Sequence, residues 1–153
     1  MLVLLLVIVI EPMKTYFDHE KLDVYQESIA FCGWVGTFLT AISAKAAAKN
    51  QLDRALTSIP LNIADGNGKF KDRARFFEMA RGSALECAAC LDVLLVRKLA
   101  SEEQVVPAKE RLARIVQMLV GLLRKFSERA DVLREEGANY SSEHDYEHEQ
   151  EHG

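Results

Sequence analysis

Four groups of residues in this chain have types and spacings that chemistry can use. The first is Cys87-Ala-Ala-Cys90, the spacing of redox dithiols and of half a zinc site. It lies within an apolar helical seam, no second pair exists, and Cys32 alone leaves a zinc site short of four ligands. Core packing is the better account of these thiols. Three cysteines in apolar surroundings form no disulfide framework, which favours a reducing compartment.

The second group is Asp65-Gly-Asn-Gly-Lys69, a glycine-rich segment of the kind that can cradle phosphate. It is not a Walker loop, because no Ser or Thr follows Lys69 and the glycine spacing differs. It is not a dinucleotide fingerprint either: no strand precedes it, and Lys71 stands at the third-glycine place. A tight helix–helix turn is expected. The third group is His144, His148 and His152, four residues apart among acids. On a helix they would align, an arrangement able to collect metal adventitiously, but a solvated segment explains them more simply. A di-iron carboxylate site needs inward Glu-x-x-His pairs, and the body of the chain has one histidine, His19. No paired nucleophile and base is visible. The expectation is therefore a protein that is not an enzyme, with no catalytic residue, no metal site and no cofactor.

The fourth group is basic: Lys69, Lys71, Arg73, Arg75 and Arg81, against Asp72 and Glu78. Most of these bases fall at the start of a helix, where the helix dipole disfavours cations by about 0.3–1 kcal/mol each. A focused positive patch results, and phosphate is its natural partner, through charge neutralisation without sequence reading. The competing reading is a solvated face in which Glu78 pairs with Arg75 and Arg81.

The elements that position these groups are helical. The chain has 153 residues, enough for one domain with a proper core, is 49% hydrophobic and has few glycines and prolines. Its formal net charge of -4 is unevenly spread. Residues 135–153 hold seven acids and no Lys or Arg, while residues 12–134 hold 19 bases and 15 acids, a net of +4. Residues 1–12 form an apolar leader, with an uninterrupted apolar run of ten, about half of what a membrane span needs. Met13 is read as the native start, leaving the leader outside the domain.

A first helix is expected over 18–45, capped by Asp18. It carries two apolar seams. One is Leu22, Tyr25, Ile29, Cys32, Gly36 and Leu39; the other is Val24, Ser28, Phe31, Val35, Phe38 and Ile42. Either both belong to one wide core face, or the second, with Trp34, packs on another subunit. A second helix is expected over 51–64, with Leu52, Ala55, Leu56, Ile59 and Ile63 inward. Pro60 should kink it by freeing the carbonyl of Leu56, and Asn62 is placed to satisfy a freed backbone group. Gly66 is expected in the left-handed position that ends a helix, and Gly68 in a second unusual conformation. A third helix is expected over 72–98, with the seam Phe76, Ala80, Ser83, Cys87, Cys90 and Leu94. Gly82, at a cost of about 1 kcal/mol in a helix interior, should have a packing reason. Ser101-Glu-Glu-Gln104 reads as a capping box. It opens a fourth helix with the seam Leu112, Ile115, Leu119, Leu122 and Phe126, and Pro107 should distort its start. The expected architecture is an all-α, antiparallel up-down four-helix bundle over 13–134, with a flexible acidic tail over 135–153.

Four segments then carry a family resemblance: FDHEKLDVYQ (17–26), NQLDRA (50–55), SIPLNIADGNGK (58–69) and RFFEMARGSALE (75–86). In that order they resemble the small helical-bundle proteins named for the intervening sequences of bacterial 23S ribosomal RNA genes. Asp65 stands where the family usually has Glu. The resemblance implies a cytoplasmic bacterial protein that forms a homo-oligomer, a pentameric ring. Relatives include the accessory protein of diversity-generating retroelements, which implies RNA or DNA and a reverse transcriptase as partners. It also marks Arg54, Asn62, Arg81 and Glu86 as family polar positions. A buried or interfacial ion-pair network of Arg54 and Glu86 is the expectation that follows.

Overall fold

The structure is a computed structural model that describes residues 14–43, 46–69 and 71–150, with side chains as far as Glu128. A 3-10 turn, Asp18–Lys21, precedes four helices: α1 (Asp23–Leu39), α2 (Ala47–Gly68), α3 (Arg73–Val96) and α4 (Glu102–Gln150). Each helix packs on its neighbours in the order α1, α2, α3, α4 and back to α1, with the α2–α3 contact the most extensive. The chain runs up and down, so the start of α1, the end of α2 and the start of α3 share one end of the bundle. The expectation for 1–12 lies outside the described residues; of 135–153 only the backbone as far as Gln150 is described, as helix. Among the described residues, no helix is long and apolar enough to cross a membrane.

The core is an aliphatic and aromatic interior in which Phe31, Phe77, Leu52, Ile59, Ile63, Leu91, Leu94, Leu112, Ile115 and Leu119 are fully buried. Burial of each such side chain is worth about 1.5–3 kcal/mol. On α1 the two seams form one wide core face, with Leu39 of the first seam buried and Leu22 packed at its margin. Val24, Ser28, Phe31, Val35 and Phe38, with Ile42 just past the helix, are buried inside this chain, so the second seam belongs to the core and not to a subunit contact. Tyr25 and Cys32 of the other seam are half-buried, and Ile29 is exposed. Trp34 packs beside Phe31 and Phe38, with the Arg111 guanidinium of α4 5.1 Å from its ring centre.

Several local expectations are corrected. Asp18 does not cap α1; its carboxylate accepts a hydrogen bond from Asn67 Nδ2 at 3.2 Å, tying the entry turn to the end of α2. The turn is instead closed by Glu20, whose carboxylate accepts from the backbone N–H groups of Tyr16 and Phe17. Helix α2 runs past Pro60 to Gly68, so the segment 58–68 is helix and the turn begins only at Lys69. Among the described residues no glycine has positive φ. Gly66 is buried for another reason: a Cβ there would lie 3.0 Å from Phe77 Cε1 and 3.1 Å from Phe76 Cβ. The left-handed residue is Lys98, at φ 59°. It ends α3 with the paired bonds Leu99 N–H to Leu94 C=O and Lys98 N–H to Leu95 C=O, the Schellman arrangement.

Pro60 leaves the carbonyl of Leu56 without its helical donor. The Cys32 thiol of α1 fills that place, at 3.5 Å from Leu56 O. Asn62 does not serve that carbonyl. Its amide donates to Ser58 O and Ser58 Oγ, and Ser83 Oγ of α3 lies 3.0 Å from Ser58 Oγ, making a polar link across α2 and α3. The seam of α3 is Phe77, Ala80, Ala84, Cys87, Leu91 and Leu94, so Phe76 and Ser83 lie at its margin. The capping box forms as expected, Gln104 N–H to Ser101 Oγ and Ser101 N–H to Gln104 Oε1. Beyond it the α4 seam passes Pro107 without a break, since Val105 and Ala108 on either side are buried.

Candidate nucleic-acid interface

The basic residues are positioned by two adjacent phenylalanines. Gly66 lets the last turns of α2 close on the start of α3, which drives Phe77 into the core. There Phe77 stacks on Phe126 of α4, with ring centres 5.6 Å apart. Phe76 is turned toward the surface by the helical step and is half-buried. Lys69 Nζ lies 4.4 Å from its ring centre and the Arg75 guanidinium 6.0 Å. One ring thus gathers a cation from the turn and a cation from the helix, an attraction of about 0.5–1 kcal/mol at an exposed site that leaves both charges positive.

The five predicted bases do not form one cluster. Lys69, Lys71 and Arg75 are exposed at the end of the bundle. Arg73 is half-buried and directed to α4, its guanidinium 5.4 Å from the Phe126 ring centre. Arg81 lies two turns farther along α3 and is held by Glu78. That pair raises the Arg81 guanidinium and holds the Glu78 carboxyl below the usual carboxylate range, through their mutual hydrogen bonds. Arg75 therefore takes an aromatic partner where Glu78 was one expectation. Arg124 and Lys125, adjacent on α4 just before Phe126, carry further positive charge at this end. Their sequence signal was the pair itself, beside the last seam residue.

The polar positions Arg54 and Glu86 do not meet as a buried pair. Both are exposed; Glu86 accepts a hydrogen bond from Gln51, and Arg54 lines a shallow groove with Thr57, Leu61, Asp65 and Met79. Nor does Gly82 have a packing reason within this chain. It is exposed, and a Cβ there meets nothing within 4 Å. Gly68 likewise faces open space.

The cysteines lie inside the bundle. Burial, then the neighbouring Cys90 and Cys32, push the Cys87 thiol up to about 12, and burial raises Cys32 and Cys90 also. Such thiols are protonated at neutral pH and are poor nucleophiles. Among the described residues, no three His, Cys, Asp or Glu come together as a metal site. His144, His148 and His152 lie beyond the described side chains.

An antiparallel helical bundle with a cation-bearing end is the class that this geometry defines. The model of the 23S rRNA-intervening sequence protein family matches residues 20–121, and the chain belongs to that family. A solved structure with a similar fold is a protein of unknown function from the S23 ribosomal protein family of Bacteroides thetaiotaomicron. The two share 21% identity at a TM-score of 0.61, over 65% of this chain and 97% of that one. No curated protein matches the chain.

Proposed function

We propose that this is a non-enzymatic, oligomeric helical-bundle protein that associates with nucleic acid as an adaptor. The observation that carries the reading is the end of the bundle at the α2–α3 turn. Lys69 and Arg75 share the ring of Phe76, with Lys71 exposed between them in sequence and Arg73 on the neighbouring Phe126. Aromatic partners orient cations without neutralising them, so the charge stays available to phosphate. Recognition of this kind reads the backbone and not the bases. The cytoplasm of a bacterium is the setting that the family resemblance supports.

The test is binding of a labelled single-stranded RNA and of a DNA duplex by the full chain and by the variant K69Q/K71Q/R73Q/R75Q. A loss of tenfold or more at low salt, in a variant that keeps its helical circular dichroism and cooperative unfolding, supports the reading; unchanged affinity refutes it.

A second reading, a structural or protein-interaction module without nucleic acid, is favoured by a different surface. Leu61, Met79, Leu85, Val93 and Val96 are exposed on the outer side of α2 and α3, around the open Gly82. Such a face suits another protein chain, a further copy in a ring or a partner such as a reverse transcriptase. A complex that survives nuclease treatment and is lost with Leu61→Lys would support this second reading.

A further inference from the structure

Helix α4 is about twice as long as α3, the helix it packs on most. It has 49 residues, about 74 Å of helix, against 24 residues and about 36 Å for α3. The two run antiparallel: Lys109 of α4 bonds Asp92 near the end of α3, and Phe126 stacks on Phe77 near its start. The backbone of α4 past Phe126, about 36 Å of helix as far as Gln150, therefore leaves the bundle at the basic end.

Charge along this extension is graded in one direction. Residues 124–134 contain Arg124, Lys125, Arg129 and Arg134 against Glu128 and Asp131, while residues 135–151 contain seven acids and no Lys or Arg. A continuous helix carries the acids away from their own root; Glu143 is about 25 Å beyond Phe126 along the axis. Two parallel extensions would set seven acids against seven. Two antiparallel ones set the acidic run of each beside the basic root of the other, an isologous twofold contact. The extension is also about as long as α3, so the acidic tip of one copy reaches the bundle end of the other.

We propose that two copies of this chain pair through antiparallel α4 extensions, with the acidic run of each against Lys69, Lys71, Arg75, Arg124 and Lys125 of the other. The occupant of the basic end is then the helical segment 143–150 of a second copy. The contact uses a different part of the chain from the outer α2–α3 face, and it competes with the phosphate binding proposed above, on whose choice of bases it draws. Being electrostatic and near the surface, it weakens steeply with salt.

The test is zero-length carbodiimide crosslinking of the full chain at low salt, with equal parts of 14N- and 15N-labelled protein. Links between carboxylates of 143–151 and Lys69, Lys71 or Lys125 are expected in mixed-isotope form, lost at 0.5 M salt. The Lys109–Asp92 link is an internal control for folding. A full-length variant with the seven acids changed to Gln or Asn should lose the mixed-isotope links and keep that control. Links of a single isotope type only, meaning a segment folded onto its own bundle, overturn the proposal, as does the absence of such links while the control forms. Mixed-isotope links in the native chain, together with no RNA or DNA binding by the variant that lacks the seven acids, would leave this proposal standing and refute the nucleic-acid reading.

Discussion

The two sides of the α2–α3 pair are built from similar small and apolar residues and behave oppositely. On the inner side Gly66 is closed against Phe77, and Ala80, Ala84 and Cys87 are fully buried. On the outer side Gly82 is open, and Leu61 and Met79 are 60% and 46% exposed. The inner small residues therefore shorten the distance between helices, whereas the outer ones do nothing for the fold of a single copy. A helix interior glycine that contributes nothing to its own fold is a cost, so the outer face is the part of the pair for which folding alone gives no account.

Substitutions can break this comparison. The largest effect is expected for Phe77→Ala, which empties the core beneath Gly66 and removes the Phe126 stack. It should destabilise by about 3–5 kcal/mol in urea unfolding. Gly66→Ala should cost about 1–3 kcal/mol, since the new methyl meets an aromatic ring that is itself held by Phe126. Gly82→Ala should act in the other direction and stabilise by about 1 kcal/mol, because the site is open and alanine is the better helix former. A destabilised Gly82→Ala chain would mean that another molecule packs there.

The smallest expected effect lies at the entry turn. Hydrogen bonds from the backbone N–H groups of Phe17 and Tyr16 hold the Glu20 carboxyl below the usual glutamate range. A folded-state pKa that is depressed gives stability above the unfolded value and loses it as pH falls through the folded one. The advantage of the native chain over Glu20→Gln should thus be present at neutral pH and vanish in acid. Thermal unfolding across that range, followed for both chains, checks the sign.

Much of the fold was legible in the sequence, because four seams of 3- and 4-residue steps specify four helices with one apolar side each. What the period could not decide was whether the second α1 seam joins the core or meets another subunit. Both have the same spacing, so the period alone assigns neither its partner. The segment Asp65–Gly68 reads as a turn because glycine and asparagine are weak helix formers, and the contact of Gly66 with Phe77 overrides that preference. Lys98 gave no sign of a left-handed end, since the residue that usually announces one is glycine. Pro60 announced an orphaned carbonyl on Leu56 but not the thiol that serves it. At the basic end the charges were legible by type. Their division was not: it depends on Phe76 facing out, Phe77 facing in, and Glu78 engaging Arg81.

The central claim is that the end of the bundle carrying Lys69, Lys71, Arg73 and Arg75 contacts phosphate. The most direct measurement is the salt dependence of single-stranded RNA binding, compared between the native chain and K69Q/K71Q/R73Q/R75Q. Each phosphate contact on a single strand contributes about 0.7 to the slope of log affinity against log salt. The account predicts a slope shallower by about 2–3 in the variant, and weaker binding at every salt concentration. Equal slopes and equal affinities would contradict it.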